Sequence, residues 1–471
     1  MNNMNKQNSE MLGSMQIRKL LLKLAIPAIA AMVINALYNL IDTFFVGIGA
    51  GTTAIGALSI AYPIQMIVLA IGMMIGIGSG SVFSRAFGRG DEKAMKRAVN
   101  TALVMNLTLS LSISVLAFIF LEPLLRLFGA TASNIGYARD YLQIVLIALV
   151  PFSLSITFNN LTRAEGRPKI AMVSLMIGAI VNIVLDPIFI FDWGLGMGVS
   201  GAALATAIGK TASFVYVFSR AMSPKSSLMI DLKQIYKIDF GMFKEIVSIG
   251  LPSFVRTAMG GVLIVIVNNL INFQVRQNPE LGDPATYIAI YAVINRLLRF
   301  SLMPGFGLVQ GMVPIVGFNY GAKFHHRVYE VIGYTSRLLF MYFTAVFLIV
   351  MVMAEPLFML FEHDGDQAFV REGARAFRIV ALGFSFITYQ VILSNFYQAM
   401  GYAKRAFIIA LSRRFIVYLP MAFILTYFFG IEGIWWTFFA ADLITGGISY
   451  IFYRSERSKL RVEIKRNLKT A

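Results

Sequence analysis

Twelve stretches of about twenty mostly apolar residues follow one another along this chain, at approximately 19–46, 54–82, 98–121, 137–161, 170–191, 198–219, 245–273, 287–313, 331–354, 376–399, 406–428 and 433–453. Each is long enough to cross the roughly 30 Å hydrocarbon core of a bilayer as a helix. In lipid every backbone amide and carbonyl must be satisfied within its segment or by a neighbour, which leaves helices or closed barrels. The pattern therefore predicts an all-α integral membrane protein. Composition agrees: 58% of residues are hydrophobic and 14% charged, with a mean hydropathy of +0.72, against roughly 25% charged in soluble domains. The N-terminus is polar through Gln16, and Arg18, Lys19 and Lys23 lead into the first apolar run. That run is too long for a signal-peptide core and no small-residue cleavage site follows closely, so it reads as a retained first helix.

The connections between segments set the orientation. Of the 41 Lys and Arg, 30 fall in the N-terminal segment, the C-terminal tail and the loops that share their side, and 6 in the opposite loops. The positive-inside rule then places both termini in the cytoplasm of a multi-pass protein of the cell (plasma or inner) membrane. The net charge of +17 is spread between apolar runs instead of forming a basic stripe with aromatics, which argues against nucleic acid as a partner. There is no cysteine, and His325, His326 and His363 all fall in loops. No zinc or haem constellation can be built from them, and no nucleophile–base pair presents itself, so no cofactor and no enzymatic activity are expected.

An internal repeat decides the architecture. Glu122-Pro123-Leu124 recurs as Glu355-Pro356-Leu357, and Gly88 as Gly321, at a shift of 233. Ala164, Gly166 and Lys169 recur as Ala399, Gly401 and Lys404 at 235, Gly198 and Gly201 as Gly430 and Gly433 at 232, and Pro27 as Pro252 at 225. Units of six helices, an even number, enter the membrane with one orientation, which makes a parallel repeat. The expected organisation is a cytoplasmic segment 1–18, a six-helix lobe 19–222, a linker 223–244, a second lobe 245–453 and a basic tail 454–471. Ile230, Leu232, Ile235, Tyr236 and Ile238 among lysines give the linker the pattern of a short interfacial helix.

Charges inside the apolar segments are the candidate functional residues, because an ionisable group at membrane depth is costly and turns toward a bundle interior or a wet cavity. Asp42 lies in the first segment, and Asn182 and Asp186 lie four apart on the fifth, ahead of Pro187. About 1.5 Å per residue puts Asp186 some 24 Å along its helix, at a depth like that of Asp42. Two carboxylates meeting in one poorly solvated cavity suit proton uptake and release. With Asn182 and a hydroxyl they equally suit a hard cation such as sodium. The competing structural reading has Asp42 solvated near a helix end and Asp186 capping a break before Pro187. Tyr38, Asn39, Thr43 and Thr206 are weaker candidates, since single hydroxyls and amides in membranes mostly bridge helices. In the second half Asn272 stands where an acid would align. Arg296, Arg299 and Asp442 read as a structural ion pair, with gating or substrate contact as the alternative. Lys210 and Arg256 read as snorkelling or buried-pair residues.

These residues, in the runs Tyr38-Asn39-Leu40-Ile41-Asp42-Thr43, Asn182-x-x-x-Asp186-Pro187 and Met303-Pro304-Gly305-Phe306-Gly307 through Pro314 to Gly321, resemble the multidrug and toxic compound extrusion family, and more closely its DNA-damage-inducible-F-like bacterial and archaeal branch. The resemblance implies two six-helix lobes around a central cavity, alternating between outward-open and inward-open. It implies antiport of small organic, often cationic compounds against protons or sodium by a monomer among membrane lipids. It also implies a cation site at Asp42, Asn182 and Asp186, with Thr206 beside it, and a helix bend at Pro27. The alternatives within the same superfamily fold are a lipid-linked precursor flippase and a metabolite exporter.

Overall fold

The computed structural model describes residues 3–130, 134–228, 230, 239–362 and 366–470. They form helices α1 (Asn3–Ser14), α2 (Ile17–Arg89), α3 (Glu92–Ile119), α4 (Leu121–Leu127), α5 (Ile135–Ala164), α6 (Pro168–Ile190), α7 (Gly198–Ala221) and α8 (Phe240–Gln277). Then follow α9 (Pro284–Gly321), α10 (His325–Met359), α11 (Gln367–Ala381), α12 (Phe384–Met400), α13 (Ala403–Leu411), a π-helical turn Ser412–Tyr418, α14 (Leu419–Phe429) and α15 (Ile431–Thr470). Among the described residues ten helical spans are long and apolar enough to cross a membrane, or eleven if α11 and α12, bent by 48°, count as one span. The expected span 433–453 is helical within α15 but does not join that set. Asp442 and the glycines, Trp435, Trp436, Thr437, Thr445, Ser449 and Tyr450 within it dilute its apolar content. Large apolar side chains face outward, with Ile147 77% and Tyr427 82% exposed, as lipid permits and water does not.

A straight helix from Ala25 to Ser84 would separate them by about 90 Å. Yet a Cβ on Gly311 would touch Ala25, and one on Gly317 would touch Ser84, six residues further along α9. The α2 chain therefore doubles back, and its two apolar spans, Ile17–Tyr38 and Tyr62–Arg89, lie side by side against α9.

The repeat is written into the backbone. Gly166 and its counterpart Gly401 both adopt a left-handed conformation, φ 85° and 84°, and so do Gly198 and Gly430, φ 53° and 57°. Only glycine takes that conformation without strain, which explains why these residues recur. Gly88 presses on the carbonyl of Phe318, while Gly321 presses on the carbonyl of Arg85. Both pairs are related by the shift of 233, so the halves meet reciprocally, as two-fold related units must.

Contacts between the halves gather at the end where the termini lie. Gly78 meets Ile246, Gly250 meets Met74, and the amide of Gln398 donates to the carbonyl of Ile249 at 3.0 Å and to Ser253 Oγ at 2.9 Å. Ser81 Oγ donates to the carbonyl of Gln398. The expected N-terminal segment belongs to this end: Leu12 is fully buried, and Arg327 donates to the carbonyls of Leu12 at 3.2 Å and Met15 at 2.7 Å. On the same side the start of the linker is tied down by buried Glu165, which accepts from the Ser227 amide at 2.5 Å and from Ser226 Oγ at 3.2 Å. Burial raises the Glu165 carboxyl above its ordinary value, while Arg167 and these donors oppose the shift. Residues 231–238, with most of the linker's interfacial pattern, and His363 lie outside the described residues.

Candidate functional site

Glycines bring α6 and α7 close enough for short polar side chains to meet. A Cβ on Gly209 would lie 2.6 Å from the carbonyl of Gly178 and 3.1 Å from Asn182 Cβ. Small residues at such a crossing let two membrane helices approach backbone to backbone. One turn away, the Asn182 amide donates to Asp186 Oδ1 at 3.1 Å and to Thr206 Oγ1 at 3.3 Å. Asp186 is fully buried, Asn182 is 1% exposed and Thr206 is 4% exposed.

Asp42, on α2, joins this group from a third direction. Its carboxylate lies beside Asn182 and Thr206 and faces Lys210, and the Tyr38 hydroxyl reaches Thr206. Asp42 Oδ1, Asp186 Oδ2 and Asn182 Oδ1 are buried and have no hydrogen-bond partner among the described residues. Buried polar atoms normally find partners. Three oxygen acceptors left over around two carboxylates form a place where a proton or a small hard cation is stabilised.

Lys210, which the sequence left between a snorkelling and a buried-pair residue, takes the second role. One turn beyond Thr206 on α7, its ammonium donates to Gln65 Oε1 at 3.2 Å and lies 4.2 Å from the centre of the Phe152 ring. It thus holds a positive charge against Asp42 in the bundle interior, instead of snorkelling to the surface. Its spacing of four from Thr206 was the available signal.

The second half is arranged differently from the expectation. Asp442 pairs with Arg413 at 2.5 Å, not with Arg296 or Arg299. Those two arginines are exposed on α9, Arg296 lying 5.8 Å from the Phe361 ring centre. The reason is that Arg413 and Arg414, near the start of the expected segment 406–428, sit about ten residues inside the span Ala403–Phe429, some 15 Å deep. Asn272 is half-buried on α8 and is not among the residues facing the carboxylates. Pro27 is buried within α2, which stays helical on both sides of it. The side chains of Asn39 and Thr43 lie outside the described residues.

Two related helical bundles, each holding buried charge in its membrane-embedded interior, define the class of fold used by secondary transporters. Residues 27–188 and 259–424 match the MatE family model. The chain belongs to the MatE family of membrane transporters. It is 26% identical over 450 residues to the multidrug export protein MepA of Staphylococcus haemolyticus (strain JCSC1435), covering 95% of each chain. Among solved structures it is similar to the MATE multidrug transporter DinF-BH, at 32% identity, TM-score 0.85 and coverage of 94% of this chain and 97% of that one. An outward-facing multidrug resistance MATE family transporter of the MOP superfamily shares the fold, at 22% identity, TM-score 0.87 and coverage of 97% and 99%.

Proposed function

We propose that this protein is a secondary active multidrug efflux antiporter, exporting small organic compounds in exchange for protons or sodium by alternating access. The observation that carries this reading is the buried group Asp42, Asn182, Asp186 and Thr206, whose three unpartnered oxygens lie at membrane depth between helices of the first half. The printed functions of MepA and DinF-BH, a multidrug export protein and a multidrug transporter, support it. The higher identity to DinF-BH supports placement in the DNA-damage-inducible-F-like branch.

In the mechanism, Asp42 and Asp186 take up the coupling ion from outside, with Asn182 and Thr206 orienting them. Neutralising the carboxylates lets α2, α6 and α7 close on one another, which collapses the substrate space in the lobe 19–222 and drives release. The lobe 245–453 pivots against it about the glycine contacts at the terminus end. Gathering of the inter-half contacts there supports reading this conformer as open toward the outside. The basic loops and termini support a cytoplasmic placement of that end in the plasma or inner membrane, and the unit that works is one chain. One elementary charge moved across 100 mV supplies about 2.3 kcal/mol, to which an ion gradient adds.

The test is uptake of a fluorescent cationic dye into proteoliposomes under an imposed pH gradient or sodium gradient, with Asp42→Asn and Asp186→Asn alongside. Gradient-driven uptake by the unmodified protein, lost in both variants, is expected, and the effective gradient names the ion. Full uptake in both variants would remove the site from the mechanism.

A further inference from the structure

The second half carries a charged group built on the counterparts of the helices that carry the first. In the first half the charges sit on α2 just past its opening span, on α6 and on α7. In the second they sit on α8, on the span Ala403–Phe429 and on α15. The glycines before α7 and α15 fix the local shift at 232, and Gly201 and Gly433 each press on the preceding helix, at the carbonyls of Phe189 and Leu425. At that shift Lys210 corresponds to Asp442, because 442 − 210 = 232. The sign of the site is inverted. The first half holds one ammonium and two carboxylates, Lys210 facing Asp42 and Asp42 facing Asp186; the second holds three guanidiniums, Arg256, Arg413 and Arg414 in a row, and one carboxylate, Asp442, which faces Arg413.

Asp442 is consumed by Arg413. Arg256 and Arg414 form no ion pair among the described residues. Arg256 donates to Ser253 Oγ at 3.2 Å, and Arg414 donates to the backbone carbonyl of Arg256, so the two side chains lie next to one another. The groups facing Arg414 are Arg413, Arg256 and the phenol of Tyr291, none of them anionic. Both arginines are half-buried and lie about midway along their helices. The π-helical turn Ser412–Tyr418 contains the Arg413–Arg414 pair, and π turns inside α-helices recur at functional sites. Like charges kept adjacent at membrane depth without a counter-ion are expensive, and a planar guanidinium is built for bidentate contact with an oxyanion.

We propose that Arg256 and Arg414 form an anion-binding subsite, which takes the carboxylate, sulfonate or phosphate group of an amphiphilic organic molecule. That this molecule is an export substrate rests on the transport function proposed above; the binding site does not. A compound carrying both charges then spans the halves, its cationic end toward Asp42 and Asp186 and its anionic end toward the arginines.

Fluorescein and rhodamine 123 test this, because they share one ring frame and carry opposite charge. Equilibrium binding of each to the purified full chain in nonionic detergent is followed by fluorescence anisotropy. Saturable fluorescein binding is expected, weakened at least tenfold by Arg414→Gln and by Arg256→Gln and partly restored by Arg414→Lys. Rhodamine 123 affinity and melting temperature should be unchanged. Adding phosphatidylglycerol separates the sources: displacement of fluorescein marks a lipid headgroup as the natural occupant, and persistence marks a soluble anion. No saturable fluorescein binding, equal affinity in the variants, or parallel loss of both dyes overturns the subsite. Absence of dye movement in proteoliposomes alongside charge-dependent binding would instead count against the transport reading.

Discussion

Lys210 shows how one side chain sets the charge balance of the candidate site. Facing Asp42 across the bundle interior, it contributes on the order of 2 kcal/mol at an effective dielectric of about 20 and a separation of several Å. Lys210→Met is therefore expected to lower the melting temperature of the purified protein. Adding Asp42→Asn to it should recover part of the loss, since the second change removes the charge that the first left uncompensated. Strictly additive losses in thermal scans of the four proteins would show that the two groups do not interact. Glu165 offers a test outside the membrane. Its carboxyl is raised by burial, so the folded state holds the proton more tightly than the unfolded state. The stability it contributes is full at low pH and falls as pH rises through its raised value. Glu165→Gln should flatten that part of the stability profile, which melting temperatures across the acid-to-neutral range would read out.

At the scale of helices, close approach matters more than propensity. The α6–α7 crossing depends on Gly178 and Gly209, which bring Asn182, Asp186 and Thr206 within hydrogen-bonding reach. Gly209→Val places carbons where the Gly178 carbonyl already stands, so it should cost about 1–3 kcal/mol through overpacking. It should also abolish gradient-driven uptake while leaving both carboxylates in the chain. Retained uptake at wild-type rates would mean that the site tolerates separation of its two helices. The π turn at Ser412–Tyr418 belongs to the same scale. It begins at Ser412-Arg413-Arg414 inside the expected segment 406–428, whose length and overall apolar content give no hint of it.

For the whole molecule, the reciprocal contacts at the terminus end make a movable joint a testable matter. The chain has no cysteine, so an engineered pair reports without background. An ideal Cβ on Gly317 lies 3.0 Å from Ser84 Cβ, so a small parting of the two helices reaches the roughly 3.5–4.5 Å that a disulfide spans. Ser84→Cys with Gly317→Cys should cross-link under oxidation, stop uptake in proteoliposomes, and recover activity on reduction. Undiminished uptake by the cross-linked protein would exclude opening at this end as part of the cycle.

The membrane class, the repeat and the two acids were legible in the sequence because each has a local physical cause. Apolar runs of bilayer length admit only helices, recurring glycines mark positions of positive φ, and a carboxylate in an apolar run stands out by its cost. Partner choice was not legible. Asp442 and Arg413 are 29 residues apart, and only the packing of α15 against the π-helical turn decided that this arginine, and neither Arg296 nor Arg299, would neutralise it. Lys210 and Arg414 both stand as basic residues inside expected apolar segments, 198–219 and 406–428. The fold alone set the first against a carboxylate and left the second beside another guanidinium, because which helix faces meet is fixed by interhelical contact and not by any one segment's composition.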